Sequence, residues 1–313
     1  MEYRKLGSSD LNVSTIALGT WATGSDFYGK VDDTKSIDAI RAGIENGINL
    51  IDTAPAYGSG HAEKVVGEAI KGYRDKAIIA TKCGVYKEDG NFIKDLTPET
   101  IRNQLETSLK SLGVEVIDLY QIHWPDPNTP LEDTVNELNK LKKEGKFRYL
   151  GVSNFDQELM GKIQEMTEIV SIQPQYSILH RDFEKDLSYV RKNNIGVLAY
   201  GPLGGGILTG KYTDEPPKLK KDDQRNNFYP YFQEPQWSRV KKLVNLLEEI
   251  AEGHNKPVPH VALNWVRQQE GVSTVLVGTK NAEQAIENAN AADWKLSSEE
   301  LKIIDEAYSN LSS

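Results

Sequence analysis

Residues 97–123 read TPETIRNQLETSLKSLGVEVIDLYQIH, and they predict one helix followed at once by one strand. Thr97 stands at a helix entry, with Pro98 at the first helical position, where its missing N–H costs nothing. Ile101, Leu105, Leu109 and Leu112 recur at helical spacing, and Gly113 stops the pattern. VIDLYQIH is short and apolar along most of its length, as a parallel strand covered on both faces must be.

The same rhythm runs through the rest of the chain. Apolar runs occur at STIALG, INLID, AIIATK, VIDLYQIH, FRYLGVS, IVSIQP, IGVLAYG and STVLVG, eight in all. Amphipathic stretches separate them. DDTKSIDAIRAGIENG places Ile37, Ile40 and Ile44 on one face and ends at Gly47. Thr129 and Glu132 read as a capping box around Pro130, with Val135, Leu138 and Leu141 following; Ser297 and Glu300 repeat the box before a last helix. Strand and helix in strict alternation predict parallel strands with crossover helices. Eight runs and no early G-x-G-x-x-G favour a closed TIM (β/α)8 barrel over a doubly wound sheet. The opening YRKLGSSDLNVSTI reads as a β-hairpin around Gly7 and Ser8, a lid on the barrel floor. The expected α/β architecture is one domain over residues 1–313, with the N-terminal hairpin and extra C-terminal helices. Residues 201–236 are too long for plain connection.

Composition narrows the function. The net charge of -9 argues against nucleic acid and against a polybasic membrane surface. No apolar run is long enough to span a bilayer, and the first residues lack a signal-peptide pattern, so a cytoplasmic protein is expected. One cysteine, Cys83, excludes an intrachain disulfide, and the histidines His61, His180, His254 and His260 show no ligand spacing, so no metal is expected.

In a barrel the active site lies where the strands end. The eight runs end in Gly19-Thr20-Trp21, Asp52, Lys82, His123, Ser153-Asn154, Gln175, Tyr200-Gly201 and Gly278-Thr279. Singly, each polar residue has a plain structural reading. Asp, Lys and His after three successive strands, with Tyr57 in the loop beyond Asp52, point to chemistry. A tyrosine protonates a carbonyl oxygen if a neighbouring ammonium brings its pKa down toward neutrality. Lys82 supplies that charge, Asp52 orients Lys82, and His123 bonds the substrate oxygen. A hydride source is then needed, which implies a nicotinamide cofactor.

Asp52, Tyr57, Lys82 and His123 match, in order and context, the catalytic tetrad of the aldo-keto reductase superfamily. DTAPAYGSG, IATKCG, DLYQIHWPD, KFRYLGVSNF, YGPLGGGILTGKY and EQAIEN all resemble that superfamily, from residue 3 to residue 310. Within it the chain is most like a group of bacterial reductases related to the potassium-channel β-subunits.

GPLGGGILTGKY, residues 201–212, fits a phosphate-binding P-loop from Gly205 to Lys211 but has Tyr212 where a magnesium-binding Ser or Thr belongs. The resemblance implies a different use, with this loop holding the cofactor's pyrophosphate. Gly204, Gly205 and Gly206 would bring backbone N–H groups to the phosphates, with Gly201, Pro202 and Leu203 lining the same cofactor loop and Lys211 adding charge. It further implies that Tyr200 stacks on the nicotinamide, that Ser153, Asn154 and Gln175 hold the carboxamide, and that Gly19, Thr20 and Trp21 border the same site. Gly278, Thr279 and Lys280 open the adenosine-phosphate site, with Gln284 and Asn288 at adenine and Arg225 from the long loop at adenine or phosphate. More familiar members carry Arg at the place of Gln284, so Lys280 is expected to supply the charge for the 2′-phosphate. NADPH/NADP+ is the expected cofactor, with NADH the alternative. Lys218, Lys220 and Lys221 read as a solvated loop.

Trp21, Tyr57, Tyr86, His123 and Trp124 are expected to wall the pocket of a small-molecule carbonyl substrate, with Phe228, Tyr229, Tyr231 and Phe232 closing over it. Two rival readings remain: a cofactor-binding regulatory subunit with little turnover, and a Schiff-base aldolase using Lys82. Oligomeric state is open.

Overall fold

The described residues form twelve strands, in chain order β1 (Tyr3–Lys5), β2 (Asn12–Ser14), β3 (Ile16–Gly19), β4 (Leu50–Asp52), β5 (Ile78–Cys83), β6 (Val85–Glu88), β7 (Asn91–Lys94), β8 (Ile117–Ile122), β9 (Phe147–Ser153), β10 (Ser171–Gln173), β11 (Gly196–Tyr200) and β12 (Val272–Gly278). This computed structural model describes residues 1–24, 32–212, 215–219, 223 and 225–311, without the side chains of Asn227 and Phe228. The readings given to Lys220, Lys221 and the Phe228 side chain therefore lie outside the described residues.

The eight apolar runs become β3, β4, β5, β8, β9, β10, β11 and β12, which pair in parallel around a closed barrel, β12 returning to β3. Helices cover the outside. The helix Pro98–Leu112 starts at an N-cap Thr97 whose hydroxyl accepts from the Thr100 N–H, and ends at Gly113 with φ 65°. The last helix, Ser298–Ser309, carries the expected capping box of Ser297 and Glu300. The box expected at Thr129 does not form. The Thr129 hydroxyl donates to Asp126 at 2.6 Å, and the helix Leu131–Lys143 is capped by Pro130 without a side-chain bond.

The hairpin β1–β2 closes the barrel floor. Its Leu6, Leu11 and Val13 form one apolar cluster with Ala17, Leu50, Ala80, Leu119, Val170, Leu198 and Leu276. The turn requires glycine. Gly7 has φ +53°, and a Cβ there would stand 2.2 Å from the Val170 carbonyl oxygen.

Strand alternation decides what points inward. In β8, Tyr120 and Ile122 join the helix-facing core, while Leu119 joins the floor cluster. The next inward positions are therefore Gln121 and then His123. β4 steps from Leu50 to Asp52 in the same way, and β5 from Ala80 to Lys82. Each inward column changes from apolar at the floor to polar at the top, and the site is built there.

Candidate active site

The Lys82 ammonium is fully buried, and its three donors meet three oxygens. It donates to Asp52 Oδ2 at 2.6 Å, to the Thr53 carbonyl at 3.0 Å and to Tyr57 Oη at 3.2 Å. The other oxygen of Asp52 accepts from Gln173 at 2.8 Å and from Gln121 at 3.2 Å. These two glutamines escaped the sequence reading. Their signal was available: an amide in the inward register of an apolar strand needs a polar partner. The Tyr57 and His123 rings meet edge to face, with centroids 5.8 Å apart.

The Tyr57 loop is held by a close backbone approach. Gly58 has φ +60°, and a Cβ there would lie 2.2 Å from the Gly24 carbonyl oxygen; one on Gly24 would lie 2.8 Å from the Tyr57 carbonyl carbon. Gly24 ends the short 3-10 turn Trp21–Gly24, so this contact ties Trp21 to Tyr57.

The electrostatics depart from expectation in one respect. Burial pushes the Tyr57 phenol up, and the neighbouring Asp52 charge adds to this, while the Lys82 charge and hydrogen bond act downward without prevailing. The phenol is therefore held protonated rather than tuned toward neutrality. Burial alone would lower the Lys82 ammonium, but Asp52 and Tyr57 more than offset it and hold the ammonium above its ordinary value. Burial, with the Lys82 charge beside it, holds His123 well below its ordinary value, so the imidazole is neutral and offers a hydrogen bond rather than a proton. Cys83 is fully buried and pushed up to about 12, which makes it an inert thiol.

A long cleft of about 780 Å³ runs from this centre across the strand ends. Gly19, Thr20, Trp21, Asp52, Tyr57, His123 and Trp124 line it, as do Ser153, Asn154, Gln175 and Tyr200. Tyr200 donates to Asn154 Oδ1 at 3.0 Å, and Asn154 donates to the His123 carbonyl at 3.0 Å. At the far end lie Gly201, Pro202, Leu203, Gly205, Gly206, Lys211, Arg225, Gly278, Thr279, Lys280, Gln284 and Asn288.

Two expected lining residues are elsewhere. Gly204 is buried beneath its turn, facing Ile207 and Leu179. Tyr86 lies on β6, which pairs with β7 in a hairpin whose register is Val85↔Lys94, Tyr86↔Ile93 and Lys87↔Phe92. Alternation sends Val85, Phe92 and Lys94 toward the cleft, which all three line, and Tyr86 with Ile93 to the other face.

The glycine loop is also not the open cradle that its sequence suggests. The Gly204 N–H donates to the Gly201 carbonyl and the Gly206 N–H to that of Leu203, so two of the three N–H groups are spent within the turn. The missing side chains instead admit neighbours. A Cβ on Gly205 would stand 2.7 Å from the Tyr229 ring, and one on Gly206 3.1 Å from Lys211 Nζ. Tyr229, one of the aromatics expected over the pocket, lines the cleft, and so do Pro257, Val258 and Glu287, for which no such place was expected. Tyr231 donates to the Leu179 carbonyl at 2.7 Å, and Phe232 is buried in the core, so these two aromatics do not close the cleft.

Cations gather at this end. Although the Lys280 side chain is exposed, partial loss of water around its ammonium, then the charges of Lys211 and Arg225, hold it below its ordinary value. Arg225 clasps Asp223 and donates to Tyr212 Oη at 3.0 Å. The helix that follows Gly278 and Thr279 starts at Ala282, with the Asn281 side chain accepting from the Gln284 N–H. The Gln284 side chain turns back to accept from the Lys280 N–H at 2.9 Å. Repelling cations around a cleft are what a multiply charged anion fits. Among the described residues no group of three His, Cys, Asp or Glu side chains is arranged for a metal, and no helix is long and apolar enough to cross a membrane.

Comparison with known proteins gives a consistent result. The sequence matches the aldo/keto reductase family over residues 15–309. It is 39% identical over 314 residues to the aldo-keto reductase YhdN of Bacillus subtilis, covering 99% of this chain and 94% of the relative. It is 35% identical over 318 residues to the NADH-specific methylglyoxal reductase of Escherichia coli, covering 96% of each. The fold superimposes on a glycerol dehydrogenase from Gluconobacter oxydans with a TM-score of 0.91 and 40% identity, covering 99% of this chain and 95% of that one.

Proposed function

The chain belongs to the aldo/keto reductase family, and we propose that it is an NADPH-dependent reductase of small aldehydes and ketones with Tyr57 as the general acid. The observation that carries this is the Tyr57 hydroxyl, 3.2 Å from a buried ammonium, on a cleft of about 780 Å³ that also reaches Lys211, Arg225 and Lys280.

The cofactor supplies a hydride to the carbonyl carbon. Everything else falls to side chains. Tyr57, held protonated by burial, donates to the carbonyl oxygen as charge develops there. Lys82 then stabilises the phenolate left behind, and Asp52 keeps Lys82 charged. Neutral His123 gives the oxygen a second hydrogen bond and orients the carbonyl without competing as the acid. Ser153, Asn154, Gln175 and Tyr200 fit a carboxamide-bearing ring, and Lys211, Arg225 and Lys280 fit its phosphates.

The Escherichia coli relative is NADH-specific by name, so the nucleotide preference must be argued from this chain's own cations. Lys211, Arg225 and Lys280 carry three positive charges, of which Asp223 offsets one and a pyrophosphate the other two, so the preference rests on the position of Lys280, whose backbone N–H bonds the Gln284 side chain at the adenosine end of the cleft. A 2′-phosphate would relieve the repulsion at Lys280. Lys280→Met should then weaken NADPH about tenfold, on the scale of one charge-assisted contact, and leave NADH within about twofold. The pH dependence has a definite sign. The Lys280 pKa is lowered, so its charge is lost as pH rises through a value below 10.5. NADPH affinity should fall over that alkaline range more than NADH affinity, and the difference should vanish in the variant. Fluorescence titrations of both nucleotides against pH measure this; equal losses for NADPH and NADH would remove Lys280 from the 2′-phosphate site. A reductase assay with aldehydes and ketones tests the activity itself, and tight nucleotide binding without turnover would oppose it.

A further inference from the structure

We propose that this site takes carbonyl compounds bearing an anionic tail, a carboxylate or a phosphate, and that Lys94 holds the tail. The proposal rests on the reductase reading above and deepens it. β6 and β7 form a hairpin that leaves the barrel directly after Lys82, at the substrate end of the cleft. Its base is pinned: Gly84 N–H donates to the Gln104 side chain at 2.7 Å, and Gln104 donates back to the Val85 carbonyl at 3.2 Å. Lys94 is therefore carried on a fixed ribbon.

Its ammonium stands 4.5 Å from the ring centre of Trp124, the residue after His123. Both side chains line the cleft. Lys87 lies on the same face of the hairpin by alternation, across from Phe92. Nearby acids are turned away or engaged. Glu88 shares the outer face with Tyr86. Asp95 accepts from the Thr100 hydroxyl and the Thr97 N–H, and Asp126 from the Thr129 hydroxyl and the Leu96 and Asn128 N–H groups. Among the described residues, the charge of Lys94 meets an aromatic face and no carboxylate. A cation over a tryptophan beside the reacting centre, in a chain of net charge -9, selects a negatively charged ligand against the general field. The aromatic wall accepts the carbon stem and the ammonium its end.

Two substrate pairs test this: butanal against 4-oxobutanoate, and glyceraldehyde against its 3-phosphate. The wild type should favour the charged member of at least one pair. Lys94→Gln should raise KM for that member about tenfold, as loss of one charge-assisted contact does, with kcat and the neutral member's kcat/KM within about twofold. Lys94→Arg should keep the preference, and added salt should erode it in the wild type but not in Lys94→Gln. Equal kcat/KM within both pairs, or equal losses for charged and neutral members in Lys94→Gln, would overturn the proposal. If no compound turns over, the reductase reading fails, and Lys94 is judged by binding alone. Butyrate should quench tryptophan emission at lower concentration than butan-1-ol in the nucleotide-loaded protein, and Lys94→Gln should abolish the difference. Butyrate binding that is unchanged in Lys94→Gln would overturn it.

Discussion

Tyr57→Phe is expected to lower kcat for carbonyl reduction by about 10²–10⁴-fold, the range for a lost general acid, while leaving nucleotide affinity within about twofold. The substitution removes one hydroxyl and little else. The Phe ring keeps the shape that meets His123 edge to face, and Lys82 retains Asp52 and the Thr53 carbonyl as acceptors. The unfolding transition should therefore stay close to wild type, which separates chemistry from stability. The wild-type pH profile carries the same information. Because burial raises the Tyr57 pKa, the acid is present through neutral pH, and reduction should fall only on the alkaline side. The reverse oxidation needs phenolate and should rise over that range. His123 is held neutral, so its protonation should place no fall in activity near its ordinary value of 6.5. Steady-state rates in both directions across pH, with nucleotide titrations of the variant, check these points. Reduction within tenfold of wild type in Tyr57→Phe would remove Tyr57 from the acid's role.

The barrel was legible because its strands carry the same two-sided apolar pattern and its helices mark their ends, as Thr97, Pro98 and Gly113 do. The polar strand ends were legible for the same reason, since polar groups interrupt an apolar register there without structural need. What failed depended on partners remote in sequence. Thr129 reads as a helix cap, but Asp126 captures its hydroxyl. Gly204 and Gly206 read as phosphate donors until their N–H groups are found within the turn. Tyr86 is misplaced because it lies on a hairpin inserted between two barrel strands, and its register decides which side chains face the cleft. Gln121 and Gln173 were legible in principle, since inward alternation puts Gln121 one step below His123. Both lie one register step below the polar strand ends to which the expected chemistry was tied. The downward shift expected for Tyr57 named the right neighbour and the wrong balance, because spacing does not show how far a phenol is removed from water.

Asp52→Ala is expected to destabilise the fold by about 3–5 kcal/mol, the usual cost of removing one partner from a buried ion pair. Lys82 would remain fully buried with two neutral oxygens, those of Thr53 and Tyr57, and the amides of Gln121 and Gln173 would lose their acceptor. Lys82→Met should cost less, because Asp52 keeps the donors Gln121 and Gln173. The double variant Asp52→Ala/Lys82→Met should recover part of the loss, and that non-additivity is the signature of the pair. The pH dependence distinguishes a charge effect from a cavity. In the wild type the Lys82 pKa is raised above 10.5, so its contribution is fully present below 10.5 and is lost as pH rises through the folded value. In Asp52→Ala burial acts on Lys82 without its counter-ion, so its folded pKa drops and the penalty is present at neutral pH. That penalty fades as rising pH removes the charge from the unfolded chain as well. The stability gap between the two proteins should therefore narrow between neutral pH and 10.5. Urea unfolding at several pH values measures it, with Asp52→Asn as a milder variant if the alanine protein does not fold. A gap constant with pH, or additive single and double variants, would mean that Asp52 fills space rather than holds a charge.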